Sequence, residues 1–102
     1  MKPFSDIVET YSAETAKPTK NDIIDSTEFH VGIVTIEAGR EIRPHPEPYA
    51  VFFFILGGAG EFTGEDGTIE LSEGDGVFLD HNEQRGIRCT ESLTILGIQE
   101  AH

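Results

Sequence analysis

Residues 49–56 (YAVFFFIL) form an unbroken apolar run, where a strand with one solvated face would alternate with polar residues. Read as a strand, the run turns Val51, Phe53 and Ile55 to one side and Phe52, Phe54 and Leu56 to the other, so both sides need cover. A chain of 102 residues can bury one core and has no room for a separate cofactor domain. Val51, Phe53 and Ile55 are expected to fill that core. The second face needs the N-terminal segment, a second sheet of the same chain or another subunit, and we expect a homodimer through the 51–56 strand.

The rest of the chain reads as short strands between turns. Residues 1–28 are polar and hold two of the five prolines. Ile7, Val8 and Tyr11 there have helical spacing over a short run, and the segment is expected to be an arm lying over a single domain of residues 29–102. From Phe29 the pattern changes. Residues 29–39 (FHVGIVTIEAG) are rich in β-branched side chains and end on glycine. The small residues of 57–63 (GGAGEFT) lead into a second short strand, and 64–67 (GEDG) is a hairpin turn. Residues 68–72 (TIELS) alternate, 73–76 (EGDG) turn again, and 77–80 (VFLD) are short and apolar. A loop at 81–84 (HNEQ) precedes strands at 85–90 (RGIRCT) and 93–101 (LTILGIQEA). Short strands at regular spacing predict an all-β sandwich or barrel.

Charge narrows the partners. Seven basic residues against nineteen acidic ones give a formal charge of −12, which repels phosphate backbones, so neither nucleic acid nor an anionic membrane is expected as partner. No apolar stretch reaches the length of a membrane span, and no basic-then-apolar leader opens the sequence, so a cytoplasmic location is expected. Cys89 is the only cysteine, which excludes an intrachain disulfide or a multi-cysteine metal cluster.

Two stretches carry a family resemblance: 39–58 (GREIRPHPEPYAVFFFILGG) and 74–89 (GDGVFLDHNEQRGIRC). In the first, Gly39, His45, Glu47, Val51 and Gly58 fall at the spacing of the first motif of the cupin superfamily. In the second, Gly74, Asp80, Asn82, Arg85 and Cys89 fall at the spacing of the second. The resemblance covers residues 29–100 and implies a double-stranded β-helix, a jelly-roll barrel, carrying an N-terminal arm. The glycines stand where positive φ is often needed, and Asn82, replacing a motif glycine, is the next most tolerant residue there. Pro44 and Pro46 should hold His45 in an extended segment.

The same resemblance implies a divalent metal held by two histidines and a glutamate from the first motif and a histidine from the second. Here those positions read His45, Glu47, Val51 and Arg85. Valine has no donor atom, and arginine offers only N–H donors on a permanent charge. One imidazole and one carboxylate fall short of a catalytic zinc or facial-triad iron site, so no cofactor is predicted. Were iron, manganese, nickel or zinc bound, His45 and Glu47 would be its ligands, with His30 or His81 recruited.

Two readings of the four positions follow. Glu47 and Arg85 on neighbouring strands could form a buried salt bridge in the metal's place. Alternatively His45, Glu47, Tyr49 and Arg85 line a pocket for a small anionic or sugar-like ligand, with Arg85 as the fork for its carboxylate and His45 as hydrogen-bonding or acid–base group. The alternative function is a metal-dependent enzyme of isomerase or dioxygenase class with a non-standard ligand set, or a metal-independent isomerase using His45. A third is an interaction module working through the 51–56 strand. Cys89 is expected to be a small core residue, His30 and His81 to lie outside the site, and His102 to be disordered.

Overall fold

The structure, a computed structural model, describes residues 1–13 and 17–101, and His102 lies outside them. Among the described residues one short helix, α1 (Ile7–Tyr11), precedes seven strands: β1 (Thr19–Asp25), β2 (Phe29–Ile36), β3 (Glu41–Pro46), β4 (Val51–Gly64), β5 (Gly67–Ser72), β6 (Gly76–Leu79) and β7 (Gln84–Glu100). All the pairings between strands are antiparallel.

β4 and β7 organise the molecule. They pair from Val51↔Gln99 to Thr63↔Gly86, with register shifts between Ile55 and Gly60. On one side of these shifts the neighbours run β1-β2-β7-β4-β6; on the other they run β3-β7-β4-β5. The ribbon thus belongs to two layers and bends between them. Gly58 makes the bend possible, because its φ is +84° and a Cβ there would lie 2.0 Å from the Ser92 carbonyl oxygen. The strands expected to break near residue 57 and near residue 91 therefore run on as single elements of 14 and 17 residues, because bulges take up the change of direction that the sequence marks like a turn.

The core fills the space between the layers. Ile36, Ile55, Leu93 and Ile95 from the first layer meet Phe62, Ile87 and Cys89 from the second in one buried cluster. Phe53 and Phe62 make a tilted ring contact across it, with centroids 6.4 Å apart. Val51 and Ile55 are buried, and Phe53 packs against the cluster as the run predicted. No ladder among the described residues joins the outer strands of the two layers, so the double-stranded β-helix is not closed by hydrogen bonds. The reason is that both layers share β4 and β7, which leaves them hinged along one ribbon.

Part of the N-terminal segment extends the sheet. β1 pairs with β2 from Thr19↔Thr35 to Asp25↔His30 and forms its edge. α1 covers the expected Ile7, Val8 and Tyr11, and the Tyr11 carbonyl accepts from Asn21 Nδ2 at 2.6 Å. The left-handed residues include Gly39, Gly58, Gly74 and Asn82, as the motif positions predicted. Among the described residues no helix is long and apolar enough to cross a membrane.

Candidate functional site

The site forms where β3 lies against the start of β7. His45 and Arg85 are direct partners in that antiparallel ladder, which puts their Cβ atoms about 5 Å apart. Pro44 and Pro46 cannot donate to the ladder, and the register slips between Ile42 and His45. Gly86 lets Pro44 pack flush, since a Cβ there would come within 2.7 Å of Pro44 Cγ.

Arg85 is 5 % exposed, and the loop between β6 and β7 holds it. Its Nη2 donates to the Asp80 carbonyl at 2.9 Å and its Nε to the Glu83 carbonyl at 3.2 Å. That loop is fixed in turn. The Asn82 N–H, from a left-handed residue with φ 61°, donates to the Glu47 carbonyl at 2.8 Å. The Glu83 carboxylate accepts from the backbone of Asp80 at 2.9 Å and of Glu65 at 3.2 Å. The Tyr49 ring lies 5.2 Å from Arg85 Cζ, within cation–π range. Nη1 is left buried with no hydrogen-bond partner, and none of the ion pairs among the described residues includes Arg85.

The expected Glu47–Arg85 salt bridge does not form. Glu47 Oε1 instead lies 3.1 Å from His45 Nε2, while His45 Nδ1 is 2.8 Å from the Arg43 carbonyl. His45 and Glu47 are two residues apart on one extended segment and meet without crossing the cavity. Arg85 meanwhile turns two of its donors to carbonyls of its own loop. Burial pushes the Tyr49 phenol above its ordinary 10.0; the Glu47 carboxylate adds to this and Arg85 partly offsets it. Tyr49 is therefore a neutral hydroxyl at pH 7.

A cavity of about 200 Å³ opens beside these groups, with His45, Tyr49, Arg85 and Gln99 among its lining. Val34, Ile42, Phe53 and Ile87 supply apolar wall, and Lys20 of β1 also reaches it. At about 30 Å³ per water the space holds a small molecule, below the ~300 Å³ of the smallest drug-sized sites. Three of the four expected site residues thus share one cavity, while Glu47 stands beside it paired to His45. Gln99 was missed, although the inward alternation Leu93, Ile95, Gly97, Gln99 on β7 marks it. Lys20 was missed because nothing in its own segment signals that β1 joins the sheet.

The residues at the metal positions do not fit a divalent ion. His45 and Glu47 face each other, Val51 is buried without a donor atom, and Arg85, the ladder partner of His45, adds a fixed cation. Among the described residues no group of three or more His, Cys, Asp or Glu side chains is arranged to hold a metal ion. His30 pairs with Asp25 at 2.9 Å. His81 contacts Asp80 at 2.8 Å and also Glu100, and neither histidine lines the cavity. The Asp80 hydrogen bond, followed by the Glu100 charge, raises the pKa of His81, and the backbone N–H of His81 holds the Asp80 carboxyl low. Cys89 is buried, with its thiol 3.2 Å from the Ile36 carbonyl, and burial pushes its pKa up.

Comparison with solved structures finds this fold repeatedly. A cupin superfamily protein from Desulfitobacterium hafniense superimposes with a TM-score of 0.84 at 15 % identity, over 99 % of this chain and 92 % of that one. KdgF from Halomonas sp. matches with a TM-score of 0.80 at 16 % identity, over 89 % and 86 %. The DMSP lyase DddQ from Ruegeria pomeroyi matches with a TM-score of 0.77 at 23 % identity, over 82 % of this chain and 47 % of that one. At such identities the likeness is one of fold. Comparison with the curated proteins finds no match. The model of the cupin domain matches residues 32–97, the span that runs from β2 to the inner part of β7 and includes His45, Glu47, Val51 and Arg85, and the chain belongs to the cupin family.

Proposed function

We propose that this chain is a small-ligand-binding cupin that takes the anionic group of its ligand on Arg85. The observation that carries the reading is the state of that side chain: buried, permanently charged, unpaired with any carboxylate among the described residues, and with Nη1 lacking a partner. A buried donor without a partner costs about 1–3 kcal/mol, more when charged, and an uncompensated buried ion costs several kcal/mol. A carboxylate entering the cavity relieves both. Of the five guanidinium N–H donors, Nε–H and one on Nη2 are engaged by the loop, so both on Nη1 and the second on Nη2 remain for a ligand. Nη1 is closed off from water-sized contact, so a ligand reaches it only when a neighbouring group shifts, and the Tyr49 ring 5.2 Å from Cζ is one such neighbour. His45 and Gln99 are the neighbouring hydrogen-bonding groups.

Acetate titrated at constant ionic strength tests this by ¹⁵N NMR. The Arg85 Nε–H resonance should move with acetate, not with chloride, and the exposed Arg88 should not respond. An Arg85 signal that stays still over the whole titration would leave Arg85 as a post for the 80–83 loop and end the ligand reading.

We infer that a second copy of the chain covers the outer face of the first layer. Phe52 lies directly opposite Phe78 on one side and Ile98 on the other, and these side chains are 40 %, 59 % and 40 % exposed. Such an apolar strip fits a copy of itself, related by a two-fold axis. Sedimentation should give a dimer that Phe78→Glu converts to monomer; a wild-type monomer overturns the inference.

A further inference from the structure

The ladder registers sort the cavity into levels. Arg85 on β7 and its partner His45 on β3 share one level, and Gln99 stands opposite Val51 at the matching level of the other layer. Two residues further along the same strands, and so on the same face, come Ile87, Gly97 and Phe53. Ile42 faces Ile87 there. The Phe53 ring lies over Gly97, where a Cβ would sit 3.4 Å from Phe53 Cε1, in ordinary contact. On β3, β4 and β7 the polar groups therefore form one layer and the apolar groups the next, with the apolar layer facing the core cluster, while Lys20 reaches the cavity from β1 at the register of Val34.

We infer that the ligand is a monocarboxylate with a small apolar body, and not a sugar acid; this rests on the reading of Arg85 as the anion site. The carboxylate meets the Arg85 level and the rest of the molecule lies against Phe53, Ile87 and Ile42. Hydroxyls on a sugar ring against Phe53, Ile87 and Ile42 would lose their water partners and meet hydrocarbon on that wall. A second carboxylate has no buried cation to meet: Arg85 is the only buried charged side chain among the described residues. Lys20 at the cavity stands partly exposed, 3.8 Å from Asp22.

Calorimetric titration of the full chain with acetate, butyrate, hexanoate, benzoate and glucuronate tests the inference, with benzyl alcohol as the uncharged counterpart of benzoate. The dissociation constant should fall about fourfold for each methylene added, at about 0.8 kcal/mol per buried CH₂ and 1.4 kcal/mol per tenfold, until the cavity is full. Benzoate should bind more tightly than glucuronate, and Arg85→Met should abolish the preference for benzoate over benzyl alcohol. A flat aliphatic series, or glucuronate as the tightest ligand, overturns the apolar assignment and leaves the anion site standing. Benzyl alcohol equal to benzoate in the wild type overturns the anion site and leaves the apolar layer. Failure of every probe to bind at millimolar concentration overturns both.

Discussion

Gly58→Ala should destabilise the protein far more than Gly39→Ala, although the two glycines share nearly the same backbone. Their φ angles are +84° and +86°, so both alanines meet the left-handed penalty of about 1–2 kcal/mol. Both recover about 0.4–1 kcal/mol from the stiffer unfolded chain. At Gly39 nothing lies within 4 Å of the new methyl, and the net loss is about 1 kcal/mol. At Gly58 the methyl would sit 2.0 Å from the Ser92 carbonyl oxygen and 2.7 Å from that of Glu91. Those oxygens belong to the bend of β7, and moving them reopens the ribbon that joins the two layers. Overpacking of this kind adds about 1–3 kcal/mol, for a total near 2–4 kcal/mol. For a domain of this size about 1 kcal/mol moves the melting temperature by roughly 4–8 °C. Far-ultraviolet circular dichroism should therefore show Gly39→Ala melting within about 8 °C of the wild type and Gly58→Ala lower by roughly 8–32 °C. Equal losses at the two sites would refute the argument that close approach at Gly58 sets the angle between the layers.

Further outcomes follow from the loop and the core. The His81 pKa is raised above its ordinary 6.5, so the stability from its contacts with Asp80 and Glu100 is complete below about pH 6.5 and is lost as pH climbs through the folded value. Urea melts of wild type and His81→Gln should differ under mildly acidic conditions and converge under alkaline ones; a difference that grows with pH contradicts the assignment. Cys89 is 2 % exposed with its pKa pushed up, so a thiol reagent should modify it slowly in the native protein and fast in urea. Fast native labelling would mean that the core around Ile36 and Leu93 opens readily.

The features legible in the sequence were those set by local pattern. The apolar run placed Val51 and Ile55 in the core, and both are buried, while Phe52 on its other face is 40 % exposed. The left-handed backbone at Gly39, Gly58, Gly74 and Asn82 followed from residue type and motif spacing together. The continuity of β4 and β7 was not legible, because small residues at 57–60 read the same way in a turn and in a bulged strand. Nor was β1, whose place depends on a ladder with β2. At the site, spacing placed His45 beside Arg85 but could not choose the partner of Glu47. That choice rests on carbonyls of Asp80 and Glu83 taking up guanidinium donors, and backbone acceptors leave no mark in a pattern of side chains.

Val51 and Arg85 make sense as a coupled pair of departures from the motif. The resemblance sets both positions around one centre, where a carboxylate and an imidazole would hold a cation. A carboxylate kept at 51 beside an arginine at 85 would pair with it internally, and the cavity would present no charge to a ligand. With valine at 51, which is 2 % exposed, the guanidinium stays unmatched and its charge is left for a molecule from outside. Val51→Glu should then close an internal ion pair in the cavity. Burying the new carboxylate costs several kcal/mol and pairing relieves a similar cost at the uncompensated guanidinium, so the melting temperature should change little while benzoate affinity is lost. Chelators should not affect the wild type, because the positive centre is covalent. Benzoate binding that survives Val51→Glu would show that the ligand is held elsewhere than on Arg85.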